Sequence, residues 1–345
     1  MDRTLRWGLI GCGDVTEVKS GPALQHAEGS ALVAVASRRP EAAADWARRH
    51  GLPRWHASVD DLLAAPDIDA VYIATHTDSH CDLTLRAAAA GKAVLVEKPM
   101  ALDPAECQRM VNACRAAGVP LWVAYYRRAL PRFLAIRQAL AGEALGALRA
   151  VVVRQFRPLP SLERQASDAH RWRVDAARSG GGLFFEAACH GLDALDWLLG
   201  PLERVQGQAA NQAGAWAPED IVAGTWRHAG ADEDGPYRGT GRGVIGCGLW
   251  CHAAGVEEES TELIGSRGRL RWSVNRGSPL ELTVDGQTQH LPIPDPPHVH
   301  QPLVQTIVHE WNGRGRCPST GETALRTAQA MAQLLSDLRA SAAGA

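Results

Sequence analysis

The sequence predicts a chain in two parts: an α/β domain on a parallel sheet, then an α+β domain on an open, mainly antiparallel sheet. Three observations carry this. Through residue 124, short apolar runs alternate with stretches of helical period. That is the spacing of βα units, whose sheet is parallel and covered on both faces. Past residue 145 the alternation stops, and residues 205–291 read as successive strands broken by Gly, Asn and Pro turns. The 345 residues suffice for about two domains at roughly 100–200 residues each, and such a chain buries a large core without staples.

The elements follow in order. Residues 5–10 form a strand, and a helix opens at Val15. Residues 31–36 are a second strand, and the Ala-rich residues 40–50 are helical. Another helix opens after Ser58, its N-cap, with Asp61 at the third helical position. Residues 70–74 are a strand, and residues 81–90 a helix that stops at Gly91. A strand around Val94, a helix over 104–117 and a strand over 120–124 complete the first domain, residues 1–124. Within the second, residues 125–318, a strand over 149–156 has no helix close behind it, and one strong helix spans 186–199. Residues 230–242 read as a mobile loop and residues 292–297 as a proline-rich connection. A last helix, in residues 319–340, opens on the capping-box pattern Ser319-Thr320-Gly321-Glu322. Its residues Leu325, Ala328, Met331, Leu334, Leu335 and Leu338 share a helical period. It is expected to pack back on the first domain. There is no internal repeat.

Composition excludes several classes. The net charge of -2 points to no nucleic-acid or membrane partner. There is no apolar run long enough to span a bilayer and no signal peptide. The eight cysteines are scattered without a C-x-x-C pair, which fits reduced thiols in a cytoplasmic protein. No metal is expected. Cys247-x-x-x-Cys251-His252 lies on a strand that splits its faces, and His298-Val299-His300 sits beside the proline-rich connection. Only three lysines occur, Lys19, Lys92 and Lys98, in an arginine-rich chain. A lysine at 98 therefore hints at a compact or titratable charge.

The chemistry concentrates at strand ends. Ala93-Val94-Leu95-Val96 runs into Glu97-Lys98-Pro99, so an acid and a base stand where a parallel sheet presents its ligands. The first strand runs into Gly11-Cys12-Gly13, with Asp14 and Val15 opening the next helix. Such a turn lets backbone approach a pyrophosphate at a helix N-terminus, although Thr16 stands where a third glycine is usual and a plain structural turn has the same look. After the second strand come Ser37, Arg38 and Arg39 and no acid until Glu41. A hydroxyl and guanidinium groups suit a 2′-phosphate, which favours NADP over NAD; the plain alternative is a solvated loop. Farther on, Glu186, His190, Asp193 and Trp197 share one stripe of a helix, preceded by Gly180-Gly181-Gly182 and by Phe184 and Phe185. A polar stripe is usually a solvated face, but an imidazole there titrates in the range that proton transfer needs.

Taken together, Gly11-x-Gly13, Ala74-Thr75 with His80, Glu97-Lys98-Pro99, Tyr125 with Arg128, Trp172-Arg173, the glycine triplet, Glu186 and His190 resemble the glucose–fructose oxidoreductase / inositol dehydrogenase / rhizopine-catabolism (Gfo/Idh/MocA) family. The dihydrodiol and xylose dehydrogenase-like branches are nearest. The resemblance implies a Rossmann domain binding NADP or NAD, and hydride transfer between nicotinamide and a sugar, polyol or diol. It implies that Lys98 contacts the reacting hydroxyl, that His190 is the general acid/base, and that Glu186, usually Asp in the family, binds a substrate hydroxyl. It further implies that Gly11, Gly13, Asp14, Val15, Ser37, Arg38, Arg39, Thr75, His76, Thr77, His80, Glu97, Lys98, Trp172 and Arg173 line the cofactor. Tyr125, Tyr126, Arg128 and Asp193 join Glu186 on the substrate side. Thr16, His76-Thr77 in place of Pro-Asn, and the longer Glu186 depart from the pattern. The open sheet implies a homodimer or homotetramer. Two rivals remain: a glycosidase or lyase that uses tightly held NAD for transient oxidation, and a non-catalytic cofactor-sensing protein.

Overall fold

The computed structural model describes residues 2–230 and 240–337. Most of the expected mobile loop, and Leu338, lie outside the described residues. The chain forms two compact units: the segment through Leu130 with Pro296–Leu325, and Pro131–Asp295 with the chain from Arg326 onward. The first boundary thus falls six residues later than the sequence places it, and residues 296–318, expected in the second domain, belong to the first unit.

The first unit is built on six parallel strands: β1 (Leu5–Ile10), β2 (Ser30–Ala36), β3 (Arg54–His56), β4 (Ala70–Ile73), β5 (Ala93–Val96) and β6 (Leu121–Val123). Their order is β3-β2-β1-β4-β5-β6, so the direction of winding reverses between β1 and β4 and opens a crevice at the carboxyl ends. Every residue of β4 and β5 is buried, as continuous apolar runs in a doubly covered sheet require. The edge strand β3 escapes sequence reading because it is three residues long and mostly exposed.

Several helices form as their sequences dictate. Ser58 accepts from the Asp61 amide at 3.1 Å, and Pro104–Ala117 is capped by Asp103 and closed by left-handed Gly118. The helix expected from Val15 is instead two, Asp14–Val18 and Ser20–His26. Pro22 explains the break, because its ring clashes with the carbonyl four residues back and it has no N–H to donate. The helix Gln301–Trp311 escapes sequence reading behind the proline-rich segment. It adds Leu303, Val304, Ile307 and Val308 to the core around Trp7, Trp46 and Trp122. The last helix, Gly321–Leu334, starts differently from the expected capping box. Thr320 and Thr323 exchange amide-to-hydroxyl bonds of 3.1 and 3.4 Å, while the Ser319 hydroxyl donates to the Val123 carbonyl at 2.7 Å.

The second unit carries eight strands: β7 (Leu148–Phe156), β8 (Leu202–Ala210), β9 (Ile221–His228), β10 (Ile245–Cys251), β11 (Glu258–Gly265), β12 (Gly268–Trp272), β13 (Leu280–Val284) and β14 (Gln287–Leu291). Their order is β14-β13-β12-β11-β7-β10-β9-β8. Only β7 and β10 run parallel; the remaining pairs are antiparallel. The helix Leu183–Leu199 packs on this sheet. It starts three residues before its predicted Glu186, so Phe184 lies on its first turn and meets Trp250 edge-on at 5.2 Å. Glycines make room for the large rings and for the last helix. A Cβ at Gly246 would lie 2.2 Å from the Trp226 indole, and one at Gly207 would lie 2.1 Å from the Leu334 carbonyl oxygen.

Candidate active site

In the first unit, the candidate groups stand at the carboxyl ends of β1, β2, β4, β5 and β6. At the end of β1, Gly11 has φ +108°, and a Cβ there would lie 2.4 Å from the Ala74 carbonyl oxygen. Only glycine fits that crossing of β1 and β4. Gly13 is different: a Cβ there meets nothing within 4 Å. The space above Gly13 is clear, and the first-turn amides of Asp14–Val18 have no side-chain cap, so this turn can receive an anionic pyrophosphate. Thr16 departs from the small residue of the motif by turning inward. It is fully buried, and its hydroxyl donates to the Gly13 carbonyl at 2.7 Å. Burial pushes the Cys12 thiol up to about 11, so the turn carries no thiolate to repel phosphate. Ser37 accepts from the Arg39 amide at 3.3 Å, and Arg38 and Arg39 are exposed at the end of β2.

At the end of β4, Ser79 donates to Thr75 Oγ1 and to the His76 carbonyl, both at 2.8 Å, and Thr77 is buried. His80 is 1% exposed, with Nδ1 at 3.0 Å from the Pro99 carbonyl and Nε2 at 3.2 Å from that of Thr75. Each ring nitrogen faces a carbonyl oxygen, one from each loop, so His80 sits between the loop after β4 and the loop after β5. Burial lowers its pKa.

Glu97, at the end of β5, is buried. Its Oε1 accepts from the Tyr72 hydroxyl and from His300 Nε2, and its Oε2 from the Lys98 amide at 3.0 Å. Burial opposes its charge, but the His300 bond and charge, the Lys98 charge and the Tyr72 bond overcome it and hold Glu97 at about 2. Burial and the neighbouring Glu97 push Tyr72 well above the usual phenol range. Lys98 itself is partly exposed. After β6, Tyr125 and Arg128 are almost fully buried, and Arg128 donates to the Pro318 carbonyl at 3.0 Å. Tyr126 packs on His300 with ring centroids 4.4 Å apart.

In the second unit, the glycine triplet packs against Glu219, whose Oε1 accepts from the Gly182 amide at 2.8 Å. A Cβ at Gly182 would lie 2.6 Å from the Glu219 carbonyl oxygen. The helix then presents its stripe. Glu186 accepts from Arg173 Nε at 2.9 Å, and the Arg173 guanidinium lies 4.7 Å over the Trp172 ring. One turn on, His190 is 7% exposed, and Asp193 is fully buried, accepting from Thr327 at 3.4 Å. The stripe is therefore not a solvated face.

Sequence reasoning gave no role to Tyr72, Glu219 and His170, and met His300 and His252 only in spacings weighed for a metal. His170 and His252 are buried and both feel the Glu186 charge. Burial and the nearby Arg157 push His252 down to about 4, and burial with Arg164 and Arg173 lowers His170. The Nε2 atoms of both have no hydrogen-bond partner among the described residues. The only signal that touched His252 was its place in the cysteine–histidine spacing. Among the described residues no cluster of His, Cys, Asp and Glu is suited to a metal ion, and the cysteines are free.

Known proteins match this architecture. The model of the oxidoreductase family with an NAD-binding Rossmann fold matches residues 5–125, and that of the GFO/IDH/MocA C-terminal domain matches residues 133–271. The chain is 31% identical over 324 residues to an oxidoreductase of Formosa agariphila, covering 94% of this chain and 96% of that one. It is 29% identical over 330 residues to 1,5-anhydro-D-fructose reductase of Ensifer adhaerens, covering 92% and 91%. The WlbA dehydrogenase of Bordetella pertussis, solved with NADH and UDP-GlcNAcA, superposes with a TM-score of 0.79 at 26% identity, covering 98% of this chain and 96% of that one. With its clear glycine turn, its strand-end Glu97-Lys98 and its matches along nearly the whole length, the chain belongs to the Gfo/Idh/MocA family and is an NAD(P)-dependent dehydrogenase or reductase that interconverts an alcohol and a carbonyl group.

Proposed function

We propose that this enzyme oxidises or reduces a sugar, polyol or diol, with Lys98 and His190 as its catalytic pair and Glu186 as a substrate-hydroxyl ligand. The observation that carries the reading is Lys98 at the carboxyl end of β5, its amide fixed at 3.0 Å by a carboxylate that the fold keeps buried and ionised. Nicotinamide, when bound, takes or supplies the hydride. The remaining chemistry falls to the protein. In the oxidative direction the substrate oxygen loses its proton to the His190 imidazole, and the Lys98 ammonium stabilises the developing alkoxide. In reduction the same groups return the proton. Arg173 orients the Glu186 carboxyl by a bond of 2.9 Å, and the carboxyl oxygens can accept hydrogen bonds from substrate hydroxyl groups.

Ser37 with Arg38 and Arg39 favours NADP over NAD, since two exposed guanidinium groups are suited to a 2′-phosphate and no acid stands there for the ribose diol. Free cysteines favour a reducing, cytoplasmic setting. A homo-oligomer formed through the second unit's sheet completes the reading. The test is a panel of sugars, polyols and diols offered to the purified chain with NADP and with NAD, followed by nicotinamide absorbance. Net reduction with at least one polyhydroxylated alcohol is expected. Bond cleavage or elimination without net change in nicotinamide would overturn it in favour of transient oxidation.

A further inference from the structure

The His298-Val299-His300 pair does not behave as a pair. His298 stacks on His26 with ring centroids 5.1 Å apart, while His300 turns inward to Glu97 Oε1 at 3.2 Å. An ionised carboxylate only accepts, so His300 Nε2 is the donor. The ring is 2% exposed, and its Nδ1 makes no hydrogen bond among the described residues. Among the described residues, the one hydrogen bond of this buried imidazole is therefore to Glu97. Three donors converge on that carboxylate: Tyr72 from β4, His300 from just before the helix Gln301–Trp311, and the Lys98 amide.

We propose that His300 is a positioning residue: it clamps Glu97, and through the second carboxylate oxygen it sets the backbone from which Lys98 projects. The proposal rests on the reading of Lys98 given above. A buried carboxylate that loses a donor tends to neutralise, and a protonated Glu97 would no longer present two fixed acceptor oxygens. The groups around Glu97 are Tyr72, Lys98 and His300, with His80 and Tyr126 near enough to couple to Glu97 or Tyr72. Among the bonds above, His300 is the one side-chain N–H donor to Glu97, since Lys98 gives its amide and Tyr72 a hydroxyl.

The experiment compares His300→Ala and His300→Gln in the full chain. The carboxyl of Glu97 is followed by NMR titration of isotope-labelled glutamate, its resonance assigned with Glu97→Gln. In the parent, against the effect of burial, the His300 and Tyr72 bonds and the Lys98 charge hold this carboxyl well below the usual carboxylate range. His300→Ala is expected to raise the midpoint by about one pH unit or more, and His300→Gln, which keeps an N–H donor without the imidazole ring, by less. An unchanged midpoint overturns the proposal. If the alanine variant does not fold, His300→Phe, which keeps a ring without a donor, takes its place, and an unchanged midpoint there overturns the proposal equally. Turnover is read beside Lys98→Ala. The proposal expects kcat to fall roughly tenfold or more in His300→Ala and to recover in His300→Gln. Lost turnover in Lys98→Ala with normal turnover in His300→Ala overturns the positioning role. Normal turnover in Lys98→Ala instead removes the Lys98 assignment, and the titration still decides the clamp.

Discussion

At the scale of single residues the site is a set of charges that the fold holds in chosen states. Lys98→Ala and His190→Ala should each lower kcat while cofactor affinity largely survives. General acid/base assistance is worth about 10²–10⁴-fold, and loss of the alkoxide-stabilising charge roughly 10²–10³-fold. The double variant should be little slower than the slower single one if, as proposed, the two serve one proton transfer. Near-normal kcat in His190→Ala would make His190 a structural helix residue and move the proton acceptor elsewhere. His252 gives a separate, pH-dependent expectation. Its folded pKa is pushed down to about 4, whereas an unfolded histidine titrates near about 6.5. As pH falls from about 6.5 towards 4 the unfolded chain takes up a proton that the folded chain refuses, so stability drops through that window. His252→Phe should flatten the drop, measured as denaturant midpoints near neutral pH and in mid-window; an unchanged pH dependence would refute the buried neutral imidazole.

At the scale of elements, the two glycines of the first turn separate folding from binding. Gly11 is needed by the crossing itself, since its φ is +108° and Ala74 lies against it. Gly11→Ala should therefore destabilise the chain by about 1–3 kcal/mol. Gly13→Ala meets no protein atom within 4 Å, so its melting temperature should stay near the parent's. Its NADP Kd should nevertheless rise roughly tenfold, about 1.4 kcal/mol, because the methyl group occupies the approach of the pyrophosphate. Equal cofactor affinity in Gly13→Ala and the parent would mean that the dinucleotide lies elsewhere. The motif was legible because a strand, two glycines and a helix start are consecutive in sequence. The substitution at its third position was not interpretable there: only the folded chain shows the Thr16 hydroxyl returning to Gly13 at 2.7 Å.

At the scale of the whole molecule, assembly is the open expectation. In the second unit β7, β11, β12 and β13 carry Arg154, Glu262, Arg271 and Glu281 as a ladder of ion pairs at 3.7–4.0 Å, beside exposed Ile245 and Cys247 on β10. Light scattering at micromolar concentration should report a dimer or tetramer, and Ile245→Arg should shift it towards monomer; a monomeric parent would end the argument. By itself the sequence determined the two-part plan, the strand-end positions of Gly11, Gly13, Glu97 and Lys98, and the single helix stripe of Glu186 and His190. All of these follow from local periodicity and from residues that are neighbours in the chain. Tertiary structure alone decided which partners hold those groups. His300 reaches Glu97 across 203 positions, Tyr72 reaches it from the neighbouring strand, and Glu219 fills the notch of the glycine triplet from 37 positions away. Tertiary structure also returned residues 296–318 to the first unit. The physical reason is that a buried charge takes whichever donors packing brings to it, and no sequence period records that choice.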